Sequence, residues 1–161
     1  MKKILTAVVA FAFALTANAQ FEQGKQYVGA SLSGLGINYN GASGLNLGVD
    51  AHGGYMLYDD IMLLGQVSYS HTGGDVAPDQ LKLGIGGRYY IEQNGIYLGA
   101  NLKYVHANHN YNDLLPGVEV GYAFFLSGTA TIEPAIYYDQ SFRRHKDFST
   151  VGFKIGFGLY F

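Results

Sequence analysis

Residues 151–161 read VGFKIGFGLYF. Val151, Phe153, Ile155, Phe157, Leu159 and Phe161 fall on one side of this stretch, and Gly152, Lys154, Gly156, Gly158 and Tyr160 on the other. Successive side chains of a β-strand point to opposite faces, so the pattern predicts a strand with one apolar and one polar or small face. The same period recurs upstream. Leu47, Val49, Ala51, Tyr55 and Leu57 alternate with Asn46, Gly48, Asp50, His52 and Gly54. Ile61, Leu63, Val67 and Tyr69 oppose Gln66, Ser68 and Ser70, and Leu81, Leu83, Ile85, Tyr89 and Ile91 oppose Lys82, Gly84, Gly86 and Arg88. Ile96, Leu98, Ala100, Leu102 and Tyr104 oppose Gly99, Asn101 and Lys103, while Val118, Val120, Tyr122 and Phe124 oppose Gly117, Glu119 and Gly121. Ala130, Ile132, Ile136 and Tyr138 oppose Thr131, Glu133 and Asp139. A weaker first strand places Val28, Ala30 and Leu32 against Gly29, Ser31 and Ser33.

The count is eight strands of about ten residues, the length a tilted strand needs to cross a bilayer. Their connections alternate in length. Residues 38–44, 72–80, 107–113 and 140–147 are long and rich in Gly, Asn and Asp, whereas 58–60, 92–94 and 127–128 are short. Long outer loops and short periplasmic turns are the habit of outer-membrane barrels. The expected fold is therefore all-β, an eight-stranded antiparallel up-and-down transmembrane β-barrel.

Charge separates this reading from a soluble barrel, in which the apolar face points inward. The apolar face of the seven later strands carries no Asp, Glu, Lys or Arg. The polar face carries Lys82, Arg88, Lys103 and Lys154 against Asp50, Glu119, Glu133 and Asp139, a balanced set of the kind a narrow barrel interior requires. Composition agrees: the chain is 48% hydrophobic and only 14% charged, whereas a soluble surface runs at about 25–35% charged. Mean hydropathy is +0.06, and 23 glycines and 14 tyrosines suit strands better than helices. Tyr55, Tyr58, Tyr69, Tyr89, Tyr104, Tyr122 and Tyr138 fall towards strand ends, where an amphipathic ring meets the headgroups. Pro134 interrupts its strand, and a closed barrel has no edge to accommodate a residue without an N–H, so a bulge or a missing ladder bond is expected there.

The first residues form an address. Lys2 and Lys3 precede twelve residues, 4–15, that are apolar except for Thr6, followed by Ala17-Asn18-Ala19. A basic head, a short apolar core and an A-x-A site predict a signal peptide over 1–19, cleaved between Ala19 and Gln20, leaving a barrel domain over 20–161. Loss of Lys2 and Lys3 leaves 8 basic against 12 acidic residues, a net charge of −4. No nucleic-acid partner is implied by that charge. The chain has no cysteine, which excludes disulfides, thiolate chemistry and a lipoprotein anchor.

Taken together these residues resemble the small eight-stranded outer-membrane β-barrel family, the OmpX-like and OmpA-transmembrane-domain-like proteins. Lys154, Gly156, Leu159 and Phe161 match the polar-x-Gly-x-x-apolar-x-aromatic terminal pattern by which the outer-membrane assembly machinery recognises its substrates. The resemblance covers the whole mature chain and implies a monomer in outer-membrane lipid and lipopolysaccharide, without a cofactor.

Three sets of residues bear on chemistry. Arg143, Arg144 and Lys146, with His145 between them, form a basic run suited to lipopolysaccharide phosphates or simply to solvent. His71, His106, His109 and His145 map to the outer rim without a defined metal geometry. His145, Asp147 and Ser149 share one face, but same-face neighbours lie ~7 Å apart, too far for a self-contained hydrolytic triad. The leading expectation is a non-enzymatic structural or surface-interaction barrel. A lipid A-modifying hydrolase and a soluble periplasmic lipocalin-like ligand-binding barrel are the alternatives. Hairpin geometry further predicts Lys103–Glu119 and Glu133–Lys154 as neighbouring-strand ion pairs, with Asp50 and the other charges extending the network.

Overall fold

The computed structural model describes residues 21–39, 46–72, 80–92, 94–107, 111–142 and 149–161. The signal segment with Ala19 and Gln20, His109, and the run from Arg143 through Arg144, His145 and Lys146 to Asp147 lie outside them. The alternating segments form β1 (Gln26–Tyr39), β2 (Asn46–Tyr58), β3 (Ile61–Thr72), β4 (Gln80–Tyr90), β5 (Ile96–Ala107), β6 (Tyr111–Tyr122), β7 (Phe124–Phe125), β8 (Ala130–Asp139) and β9 (Thr150–Tyr160). Each pairs antiparallel with its chain neighbour, and β1 pairs with β9, which closes the sheet. The two residues of β7 continue β6: Gly121 faces Ala135 and Phe124 faces Ile132 in one unbroken register. The molecule is thus a closed barrel of eight staves, all antiparallel.

The break between β6 and β7 has a cause on the facing strand. By that register Tyr122 would face Pro134, which has no N–H to give. The ladder loses a bond there without changing register, the second of the two outcomes expected at Pro134. On its other side the stave stays bonded, Ala123 donating its N–H to the Gly95 carbonyl at 2.8 Å.

Several strands run a residue or two into the expected connections, at Asn38 and Tyr39, Tyr58, Thr72 and Gln80, and the β5–β6 hairpin runs furthest. Residues 107 and 111–113, read from their Asn and Asp content as loop, are strand, with Ala107 paired to Tyr111. Backbone pairing in the β5–β6 hairpin overrides the turn preference of those side chains. Asp113 consequently points inward and is buried, a fifth interior acid that the four-against-four charge balance omitted.

The two faces are distributed as the period requires. Val28, Leu32, Val49, Leu63, Val67, Leu83, Ile85, Leu102, Val118, Val120, Ile136 and Phe157 are exposed on the outside. Tyr55, Tyr58, Tyr89, Phe124 and Phe161 ring the end with the short turns, and Tyr69 and Tyr104 sit towards the other. Arg88, Lys103, Glu119, Glu133, Asp139 and Lys154 are buried within. An apolar exterior around a charged interior is the reverse of a soluble barrel.

Candidate functional site

The interior is layered along the barrel axis, beginning at the short-turn end. Phe21, five residues before β1, turns back into that mouth and is fully buried. Its ring stacks on Tyr90 at 3.8 Å and meets the edges of Phe125 and Tyr160 at 5.5 Å. Met56, Met62, Tyr97 and Ala135 complete the cluster. The segment is strapped to the β2–β3 turn. Asp60 donates its N–H to the Phe21 carbonyl at 2.9 Å, and Gly24 donates to the Met56 carbonyl at 2.9 Å. Gln23 donates its N–H to Asp59 Oδ1 at 2.8 Å and its side-chain amide to the Leu57 carbonyl at 3.0 Å.

Above this apolar plug lies the ion network. Arg88 is its centre: Nε donates to Glu119 Oε1 and Nη1 to Glu133 Oε2, each at 2.8 Å. Its guanidinium lies over the Tyr97 ring, 4.2 Å from the centroid. Lys154 pairs with the second oxygen of Glu119. Glu133 also accepts from Tyr27 (2.8 Å), Tyr160 (3.0 Å) and Thr131 (2.8 Å). Higher still, Lys103 Nζ donates to both oxygens of Asp139 at 2.8 and 2.7 Å.

Neither predicted neighbouring-strand pair forms. Lys103 faces Leu115, four residues short of Glu119, and Glu133 faces Gly156, two residues from Lys154. Among the described residues every interior ion pair instead skips at least one strand: Arg88 on β4 reaches Glu119 on β6 and Glu133 on β8, Lys103 on β5 reaches Asp139 on β8, and Lys154 on β9 reaches Glu119 on β6. The physical reason is curvature together with glycine. The inner wall of a narrow barrel converges long side chains on the axis, and between Arg88 and Glu119 the intervening residue is glycine. Arg88 faces Gly99, which faces Glu119, and a Cβ on Gly99 would lie 2.5 Å from Glu119 Cγ.

Asp50 and Lys82 make no ion pair with a described residue. Asp50 accepts from Ser31 Oγ at 3.1 Å. Both line a cavity of about 40 Å³ with Ser33, Gln66, Tyr137 and Asp139. Towards the outer rim, Ser141 donates to Asp113 at 2.6 Å, and Ser149 accepts from the Ser141 N–H at 3.0 Å. His106 is exposed and hydrogen-bonds Asn112 at 2.8 Å. Of the terminal pattern, Lys154 and Gly156 point inward, while Leu159 and Phe161 are exposed outside. Among the described residues no group of three or more His, Asp or Glu could hold a metal ion.

The sequence reading did not single out Phe21, Tyr27, Tyr90, Tyr97 or Asp113. The inward tyrosines were legible in principle, because each occupies the polar phase of its strand's alternation. Phe21 belongs to no alternating segment and left no such mark.

No protein-family model and no curated protein matches the chain. Solved structures do. The crystal structure of Neisserial surface protein A is similar with a TM-score of 0.66 at 14% identity, over 85% of this chain and 96% of that one. OprG, an outer membrane protein from Pseudomonas aeruginosa, gives 0.60 at 14% identity, over 89% and 99% of the two chains. A de novo designed transmembrane β-barrel gives 0.56 at 12% identity, over 87% and 98%. The chain has the fold of the small eight-stranded outer-membrane β-barrels. A designed protein shares it, so the likeness is one of architecture.

Proposed function

We propose that this chain is an integral outer-membrane β-barrel protein with a structural or surface-interaction role and no enzymatic activity. One observation carries the reading: among the described residues, the closed barrel presents no Asp, Glu, Lys or Arg on the outer face of its strands, while its interior charges other than Lys82 are paired or hydrogen-bonded within. A closed barrel satisfies its backbone internally, which hydrocarbon demands. The non-enzymatic part draws on the way the central charges are engaged. Arg88, Glu119 and Glu133 are each engaged by several partners, and none is aimed at a space that would admit a substrate. A lipocalin-like soluble barrel would need the opposite arrangement of faces.

The proposal includes export through the 1–19 signal, recognition of Lys154, Gly156, Leu159 and Phe161 by the assembly machinery, and contact of Arg143, Arg144 and Lys146 with lipopolysaccharide phosphates. Membrane fractionation with protease added to intact cells tests the reading. The expected result is recovery in the outer membrane with cleavage confined to the outer connections. Recovery in the soluble periplasm would overturn it. Unchanged lipid A acylation with and without the protein is the expected outcome for a non-enzyme.

A further inference from the structure

A hydrogen-bonded chain inside the barrel has a direction that can be read from its chemistry. Ser31 Oγ lies 3.1 Å from Asp50 Oδ2 and 3.1 Å from His52 Nε2. A hydroxyl has one hydrogen, and a carboxylate can only accept, so Ser31 donates to Asp50. Ser31 must then accept from His52, which places the ring hydrogen on Nε2. On a neutral ring that leaves His52 Nδ1 as an acceptor. The residue is only 6% exposed, and Nδ1 has no partner among the described residues.

Among the other buried polar atoms without a described partner, two belong to side chains beside His52: Gln66 Nε2 and Asn101 Oδ1. The three side chains come from β2, β3 and β5, and all line one cavity of about 10 Å³. That is about the space one water molecule occupies, and a buried water commonly makes two to four hydrogen bonds. The wall is built close. Asn101 faces Gly86, where a Cβ would sit 2.8 Å from Asn101 Cβ.

We propose that this cavity is a binding site for a single water molecule, which donates to His52 Nδ1 and Asn101 Oδ1, accepts from Gln66 Nε2, and holds His52 as its neutral Nε2-protonated tautomer. The donor pattern selects the ligand. An anion could not donate to the two acceptors. A cation would face the Gln66 amide hydrogens and the Arg88 side chain, which also lines the cavity. The water links two regions of the lumen. Gln66 borders the larger cavity beside Asp50 and Lys82 as well, while Arg88 and Glu119 wall the smaller one.

The test uses the purified barrel in lipid nanodiscs with ¹⁵N-labelled histidine, the His52 signals being assigned by their loss in His52→Gln. Long-range proton–nitrogen correlation is expected to show Nε2 protonated and Nδ1 bare. Cross-relaxation is expected between a long-lived water and the Gly87 and Asn101 amide protons. Asn101→Leu should abolish that water signal and shift Nδ1. Gln66→Met serves the same purpose if Asn101→Leu does not fold. Ser31→Ala should instead release the tautomer into a mixture and leave the water signal in place. An Nδ1-protonated or doubly protonated ring in the unaltered protein would overturn the proposal. So would absence of a water cross-peak there, or an unchanged water signal in the folded cavity variants.

Discussion

Arg88, Glu119 and Gly99 show at the scale of single residues how much of this interior can be read in advance. Alternation of side chains assigns Arg88 and Glu119 to the polar face directly from the sequence. It says nothing of which partner each reaches, because partner choice depends on register and on the reach of long side chains across a curved wall. The Arg88–Glu119 pair therefore forms over Gly99 rather than between facing residues. Lys103 and Asp139 give a clean test. Each singly replaced (Lys103→Met, Asp139→Asn) leaves the other buried without its partner, and each change should destabilise by about 3–5 kcal/mol, with the double change costing less than their sum. Urea unfolding of the barrel refolded in lipid vesicles measures the coupling, and strict additivity would remove the pair from the account. The outward face makes the opposite demand. Val120 is 54% exposed at mid-strand, so Val120→Arg should cost ~2–4 kcal/mol in a bilayer. Its neighbour Gly121 points inward against the Tyr97 ring, and a Cβ there would lie 2.9 Å from Ala135 Cβ. Gly121→Ser should therefore destabilise by crowding, although its side chain is polar. If both substitutions left the unfolding midpoint unchanged, the faces would be assigned wrongly.

Among the elements, the long alternating strands were legible and the irregular pieces were not. Pro134 was an exception, since its missing N–H is a property of the residue itself, and the ladder breaks on the strand that faces it. The β5–β6 hairpin runs further than its Asn-rich sequence suggests, because each added residue pair closes backbone hydrogen bonds whatever the side chains prefer. The segment over residues 21–25 is harder still to foresee: no periodicity marks it, yet it carries the fully buried Phe21 and a row of bonds to the β2–β3 turn. Its packing has a measurable consequence. Phe21→Ala removes a buried aromatic ring from the mouth and should destabilise the barrel by about 3–5 kcal/mol. It should also admit water to the cluster beneath. A cysteine placed by Met62→Cys, fully inside that cluster, should resist a polar thiol reagent in the otherwise unaltered barrel. It should react at least tenfold faster when Phe21→Ala is added. Equal reactivity in the two backgrounds would mean that Phe21 rests on the mouth without sealing it.

For the whole molecule, closure is the event on which everything else depends, and it is made where the two ends of the chain meet. β1 and β9 pair from Tyr27 to Ser33 and again, after a shift of register, at Asn38 and Tyr39, and at the seam Gln26 and Phe161 exchange backbone hydrogen bonds of 2.7 and 3.0 Å. The last side chain of β9 and the one that follows it then part ways. Tyr160 points inward, 2% exposed, and bonds Tyr90 at 2.8 Å and Glu133 at 3.0 Å. Phe161 points outward, 60% exposed, with its ring free of the core. Export and assembly can be separated from folding at these two positions. N-terminal sequencing of the protein recovered from outer membranes should begin at Gln20 or within a residue or two of it, and an intact Met1 would refute the cleavage. Phe161→Ala keeps both seam hydrogen bonds and removes only an outward ring. If that ring belongs to the signal read by the assembly machinery, the substitution should lower the amount of inserted barrel in cells several-fold. The yield and unfolding midpoint after refolding of purified chain into lipid vesicles should change little. Tyr160→Ala should behave differently, because it removes a packed ring and two hydrogen bonds from the interior: its vesicle stability should fall by about 3–5 kcal/mol, and its level in cells should fall with it. Parallel losses for Phe161→Ala in cells and in vesicles would assign the ring to lipid packing at the barrel's end, and the terminal pattern would then lose its last member.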